Sequence, residues 1–207
     1  MNVLAIETSV PEASLCLSVN GDTVFSTSWH AERNHDAHLF PALQQALNAL
    51  PDSEKLDYLL VGAGPGSYGG VRVALAAGVG ITTVTGARLV AVESWAQLAE
   101  GEACVVADAR RGGWTVRRPG GDIEVLSTEE LLALRNPIFT VEAAGTLPAR
   151  GIDQVQREAL VPSAEGLIRT WMALDNTQRR SLQEKPAEPI YVRPPHITTS
   201  TRKPWEI

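Results

Sequence analysis

At 207 residues the chain can bury one large core or two smaller lobes without disulfides or a metal to hold it. Its apolar share of 44% and charged share of 20% are those of a globular protein and exclude disorder as its ground state. A formal net charge of −6 argues against autonomous tight binding to RNA or DNA, because Lys and Arg neutralising phosphates dominate such affinity; a local basic patch stays compatible with it.

The chain opens on Asn2-Val3-Leu4-Ala5-Ile6, with no basic leader, long apolar run or cleavage site. No segment reaches the roughly 18 uninterrupted apolar residues of a membrane span, so a cytoplasmic protein without membrane association is expected. Strands are predicted at residues 3–8, 13–19 and 23–28, with Asn20-Gly21-Asp22 turning the second into the third. Cys16 and Cys104 lie far apart in apolar runs, in neither a C-x-x-C nor a zinc pattern, and read as buried reduced thiols. A helix over residues 34–50 follows, its Leu39, Leu43, Ala46, Leu47 and Leu50 on one face. Asn34 is its candidate cap, Pro41 sits in the first turn or kinks it, and Pro51-Asp52 ends it.

Residues 58–62 read as a fourth strand, leading into the turn Gly64-Pro65-Gly66-Ser67-Tyr68-Gly69-Gly70 and a helix over 68–84. A strand at 88–92 completes a β-β-β-α-β-α-β unit, which calls for a mixed sheet with helices against it. Residues 93–99 suggest a short connecting helix. Strands at 103–107, 114–118 and 123–126 come next, the last two joined by Pro119-Gly120-Gly121-Asp122. Ser127-Thr128-Glu129-Glu130 has the form of a capping box feeding a helix at 131–135. A helix at 164–174, a polar stretch and a short strand at 190–192 precede a Pro-, Thr- and Arg-rich end. The expected division is an N-terminal lobe at 1–99, a smaller lobe at 100–193 and a flexible tail at 194–207. No sequence repeat recurs at a fixed period.

The glycine turn allows two readings. The N–H groups around Gly66, Ser67 and Gly69, with Arg72 nearby, could hold an anion at the helix start; alternatively the glycines shape the turn and Ser67 caps the helix. The phosphate-loop spacing with its lysine is absent. The helix itself has almost no polar face, so it must be covered on more than one side. Ala74, Ala77, Gly78 and Gly80 keep it slim while Val71, Leu75 and Val79 add apolar area, a surface that permits close helix packing. The candidate partner interface is therefore Leu39, Leu43, Leu47, Val71, Ala74, Leu75 and Gly78, set against a helix buried wholly within the chain.

Among the histidines, His30, His35 and His38 lack the i, i+4 spacing of a helical metal pair; His35 and His38 with Asp36 are the weaker alternative, and no metal is expected. Ser67 lacks a G-x-S-x-G context, so no hydrolase triad is read. Glu7-Thr8-Ser9 ends the first strand, either as a polar strand end or as a carboxylate able to position a metal-bound water.

Four segments in order carry a resemblance: Leu4-Ala5-Ile6-Glu7-Thr8-Ser9; His35 with Leu39 and Pro41; Gly64-Pro65-Gly66-Ser67 with Gly70 and Arg72; and Asp108-Ala109-Arg110. Glu188-Pro189-Ile190-Tyr191-Val192-Arg193 is a fifth. Together they resemble the TsaB (YeaZ) family, the non-catalytic subunit of the bacterial machinery that makes threonylcarbamoyladenosine on tRNA. The resemblance implies an α/β, actin-like ATPase (ribonuclease H-like) fold of two lobes, with mixed sheets flanked by helices and the second lobe reduced. It implies association through the N-terminal lobe with a TsaD-like catalytic subunit, a TsaE-like ATPase in the complex, a homodimer as the alternative, and tRNA met only through the complex. No cofactor and no independent catalysis are expected. The rival readings are an active actin-like ATPase or phosphotransferase using Glu7, and, more weakly, a metallopeptidase. Arg110, Arg111, Arg117 and Arg118 form a basic cluster on a predicted hairpin, either touching tRNA in an assembly or simply solvated. Gly69 stands where the family has a small hydroxyl residue, and Gly113-Trp114-Thr115 replaces its acidic-aromatic continuation.

Overall fold

The computed structural model describes residues 1–31 and 35–193, with the side chains of residues 35 and 36 left aside. The Asn34 cap, the His35 and Asp36 side chains and the tail at 194–207 thus lie outside the described residues. The strands are β1 (Val3–Glu7), β2 (Glu12–Val19), β3 (Asp22–His30), β4 (Tyr58–Gly62), β5 (Arg88–Val92), β6 (Cys104–Asp108), β7 (Gly113–Arg117), β8 (Ile123–Ser127), β9 (Ile138–Thr140) and β10 (Val155–Arg157). The helices are α1 (His35–Ala49), α2 (Tyr68–Thr85), α3 (Thr128–Leu132), α4 (Ala164–Ala173) and α5 (Asn176–Glu184).

The first sheet has the order β3-β2-β1-β4-β5. β1 pairs antiparallel with β2 and parallel with β4, and β4 runs parallel to β5. Asn20 and Gly21 both hold positive φ, 55° and 98°, as the tight hairpin between β2 and β3 requires. Alternation along β1 assigns its two faces. Leu4 and Ile6 pack with Leu39, Leu43, Ala46, Ala74 and Leu75 of α1 and α2, while Val3 and Ala5 pack with Leu167, Ile168 and Trp171 of α4. Pro41 lies inside α1 and does not end it.

The second sheet, β10-β9-β6-β7-β8, repeats the same topology: an antiparallel β6-β7-β8 meander, then β9 parallel to β6 and β10 parallel to β9. Its connections are short. The five-residue α3 stands between β8 and β9, closed by the expected capping box of Ser127 and Glu130, and a 3₁₀ turn at Pro148–Arg150 precedes β10.

Four expectations change. Residues 94–98 form turns instead of a helix, and they bury Trp95 against Val105 and Ala107. The polar stretch after α4 is a helix, α5, whose amphipathic side packs on β5. The 190–192 segment is not a strand but an irregular strap, pinned by the Ile190 N–H donating to the Ala63 carbonyl at 2.8 Å. Because α4 and α5 lie on the first sheet, residues 100–193 do not form one lobe. The chain leaves the first lobe after β5, builds the second sheet and returns. No helix of the described residues is long and apolar enough to cross a membrane.

Candidate functional site

Two surfaces concentrate the residues singled out by sequence. The first is the cleft between the lobes, about 550 Å³, bounded by Ser9 to Pro11, the glycine turn, Trp95, Asp108 to Arg110 and the strap Pro189 to Arg193. Its floor is knitted by backbone. The Ser67 N–H donates to the Ser9 carbonyl at 2.6 Å, and the Thr8 hydroxyl donates to the Gly70 carbonyl at 2.7 Å. A Cβ on Gly66 would stand 2.2 Å from that Ser9 oxygen, so only glycine lets the two turns approach this closely. Ser67 caps α2, its hydroxyl accepting from the Gly70 N–H at 3.3 Å. The Ser67 donor of the candidate anion cradle is thereby engaged, and so is the Gly70 N–H beside it. Arg72 turns aside, lying over the Tyr68 ring at 5.1 Å and donating to its hydroxyl at 2.8 Å. The open backbone of Gly69 has nothing within 4 Å of a notional Cβ. The structure thus shows the capping half of the glycine-turn reading directly.

Glu7 does not reach this cleft. It is fully buried, with one carboxylate oxygen accepting the Ser9 N–H at 2.8 Å and the other without a hydrogen-bond partner. A Cβ on Gly62 would stand 2.2 Å from that second oxygen, so the glycine makes room for it. Desolvation by burial raises its pKa above the ordinary value, only partly countered by hydrogen bonds from Ser9, Ser94 and Thr8. The thiol of Cys16 is likewise pushed up to about 11 by burial, and both cysteines are free. Among the described residues, no three His, Cys, Asp or Glu side chains converge to hold a metal ion. His38 instead stacks on Trp29, ring centroids 6.5 Å apart, and His30 meets Glu12.

The second surface is an open groove of about 660 Å³ between α1 and α2, lined by Phe40, Leu43, Gln44, Leu47, Val73, Ala76, Ala77, Gly80 and Ile81. It is nearly all apolar. The interface candidates named from sequence lie on these two helices but mostly on their inward face. Leu39, Val71, Ala74, Leu75 and Gly78 are buried against the chain's own sheet, and a Cβ on Gly78 would meet Leu89 at 2.7 Å. Leu43 and Leu47 are shared between core and groove. The outward residues Phe40, Val73, Ala76 and Ile81 were not among those candidates, although the i, i+3, i+4, i+7 spacing of Val71, Ala74, Leu75 and Gly78 leaves Val73, Ala76 and Ile81 off the inward face of α2.

The basic hairpin divides in two. Arg117 pairs with Glu93 and Arg118 with Glu124, so both are neutralised. Arg110 and Arg111 stay exposed at the turn, each with positive φ, 63° and 52°.

A family model described as TsaD, tRNA N6-adenosine threonylcarbamoyltransferase, matches residues 29–171. Among solved structures, an uncharacterized Pseudomonas aeruginosa protein with similarity to peptidase YEAZ is similar at a TM-score of 0.71 and 23% identity, over 93% of this chain and 99% of that one. YeaZ from Pseudomonas aeruginosa is similar at a TM-score of 0.67 and 24% identity, over 92% of this chain and 99% of that one. No curated protein matches. With the family match, these likenesses show the fold: two mixed five-stranded sheets flanked by helices in the YeaZ arrangement, an actin-like ATPase fold.

Proposed function

The chain belongs to the family of the tRNA N6-adenosine threonylcarbamoyltransferase TsaD, and from that premise we propose that it serves tRNA modification as a scaffold subunit, not as the transferase itself. In this reading it docks a TsaD-like catalytic subunit in the cytoplasm, with a TsaE-like ATPase joining the assembly, and supports threonylcarbamoyladenosine formation on a tRNA that it meets within the complex.

The observation that carries the reading is the uncovered groove between α1 and α2. Phe40 is 58% exposed there, and Val79 and Val84 add exposed apolar area on α2. A contiguous apolar surface of this kind on a folded chain marks an interaction site. Gly80 and Ala76 keep α2 slim, so a partner helix can approach the backbone closely. A specific complex buries about 800 Å² on each partner, which two helices can present. The rival ATPase reading is disfavoured by the position of Glu7, sealed beneath Gly62, and by the strap that crosses the interlobe cleft.

The test uses substitutions on the outward face. Ala76 is exposed and nothing lies within 4 Å of a Cβ on Gly80, so Ala76→Arg and Gly80→Arg are expected to fold normally. Each is expected to weaken co-purification with the TsaD-like protein by at least about 10-fold, because a desolvated charge is placed in an apolar contact. Ala74→Arg, at a fully buried position, is expected to unfold the chain instead. Normal association by both outward variants would rule this groove out. The same groove fits a second copy, and sedimentation of the chain with and without the partner measures which occupant it takes.

A further inference from the structure

Aromatic and cationic side chains gather at one place that the α1–α2 groove does not use: the mouth of the interlobe cleft. Tyr68 and Tyr191 are 55% and 51% exposed and stack on each other, ring centroids 5.5 Å apart and planes 30° apart. Arg72 lies over the Tyr68 ring. From the strap, the Arg193 guanidinium donates to the Arg110 carbonyl at 3.1 Å, joining Tyr191 to the β6–β7 turn. There Arg110 has 87% of its side chain exposed, and Arg111 beside it is exposed as well. Both adopt the left-handed backbone region that non-glycine residues avoid, which aims two successive arginines outward from one tight turn.

The mouth gathers exposed arginines on a chain whose net charge is −6. Asp108 and Glu142 are the acids lining the cleft. Asp108 is occupied: it accepts the Arg110 N–H at 2.8 Å and pairs with Arg150 at 3.3 Å and, more loosely, with the Arg110 guanidinium at 3.7 Å, while Glu142 accepts the Asp108 N–H at 2.9 Å. Arg110 and Arg193 line the cleft beside these two acids, and Arg72, over the lining Tyr68, and the exposed Arg111, next to Arg110, add two cations at its edge. Exposed aromatic rings interleaved with arginines form what an unpaired nucleic-acid strand needs, a platform on which bases stack and cations that follow the phosphates. A paired duplex would use the cations and leave the tyrosines idle. An apolar protein helix would use neither.

We propose that the cleft mouth is an RNA-contact surface for an unpaired stretch of the tRNA substrate, with a base on the Tyr191–Tyr68 stack and its phosphates over Arg110 and Arg111. The inference rests on the tRNA-modification reading but not on the groove, so the two are tested separately. A fluorescently labelled hairpin RNA with an unpaired loop, and a fully paired duplex of the same stem, are titrated with the chain alone across a range of low ionic strengths. The hairpin is expected to bind more tightly than the duplex. Tyr191→Ala is expected to weaken hairpin binding by about 5-fold or more, the lower end of what one stacked base contributes, and Tyr191→Phe to preserve it. The double variant Arg110→Glu, Arg111→Glu is expected to weaken it by at least about 10-fold and to flatten the salt dependence by about 0.7 for each phosphate that is no longer neutralised. Equal affinity for hairpin and duplex overturns the proposal, as does undetectable hairpin binding at low salt or unchanged binding by the double variant. Loss of TsaD-like co-purification in these variants would instead make the mouth a protein interface, whereas retained co-purification with abolished RNA binding supports the assignment.

Discussion

Glu7 shows how a residue type that suggests chemistry can be committed to structure. The sequence places a carboxylate at the end of β1, where a metal-bound water could be oriented, but nothing local reveals that Gly62 on the neighbouring strand opens the space into which it turns. Desolvation keeps its proton on above 4.5, the ordinary value. Between that value and the raised one, the folded chain holds a proton that the unfolded chain has released. Stability from this group is therefore greatest at low pH and falls as pH rises through that window. Glu7→Gln removes the titration while keeping the shape. Its melting temperature relative to wild type is expected to improve steadily from about pH 4.5 upward. Parallel melting curves across that range would show that Glu7 ionises normally.

At the scale of elements, β1 to β5 and α1, α2 and α4 were legible because hydrophobic period, the Asn20-Gly21 turn and Ser67 all agree on their position. The orientation of α2 was not. A helix that is small or apolar all round carries no polar stripe to say which side meets the sheet. Two of its glycines separate the faces. Gly78 rests against Leu59, Val61 and Leu89, whereas Gly80 faces open space. Gly80→Ala is therefore expected to stabilise the chain by up to about 1 kcal/mol through helix propensity. Gly78→Val is expected to cost about 1–3 kcal/mol by overpacking, both read from chemical denaturation midpoints. The missed elements have physical reasons too. β9 and β10 are three residues each, too short to show a period. α5 is NTQRRSLQE, with a single large apolar residue, and is fixed by its Asp175–Gln178 capping box and by Arg179 donating to the Trp171 and Met172 carbonyls.

In the whole molecule, the two sheets share one strand order although no sequence repeat is visible. Topology survives where the crossover helices do not: the first sheet has α1 and α2 between its later strands, the second only α3 and a 3₁₀ turn. Repetition at that level lives in hydrogen-bond pairing, which single-sequence periodicity cannot report. The division also separates the two proposed tasks in space. The apolar groove proposed for docking lies on the outer helices of the first lobe, and the mouth with its tyrosines and arginines lies where both lobes and the strap meet.

The return of α4 and α5 to the first sheet makes the second lobe a guest spliced into a host. Host continuity is nearly complete without it, since the Gln97 side chain accepts the Ser163 N–H at 2.9 Å and the Ala164 N–H reaches the Ser14 hydroxyl at 2.8 Å. Entry and exit points that lie this close are where excision and transplantation are tolerated. Replacing residues 101–160 with a short Gly-Ser linker, and Trp95 with Thr because Val105 and Ala107 leave with the guest, is expected to give a chain that melts cooperatively. That chain is expected to retain association through α1 and α2, measured by sedimentation. Loss of a cooperative transition would mean that host and guest fold as one. If it persists, the docking half of the protein is a portable module whose partner can be held while the cleft is exchanged.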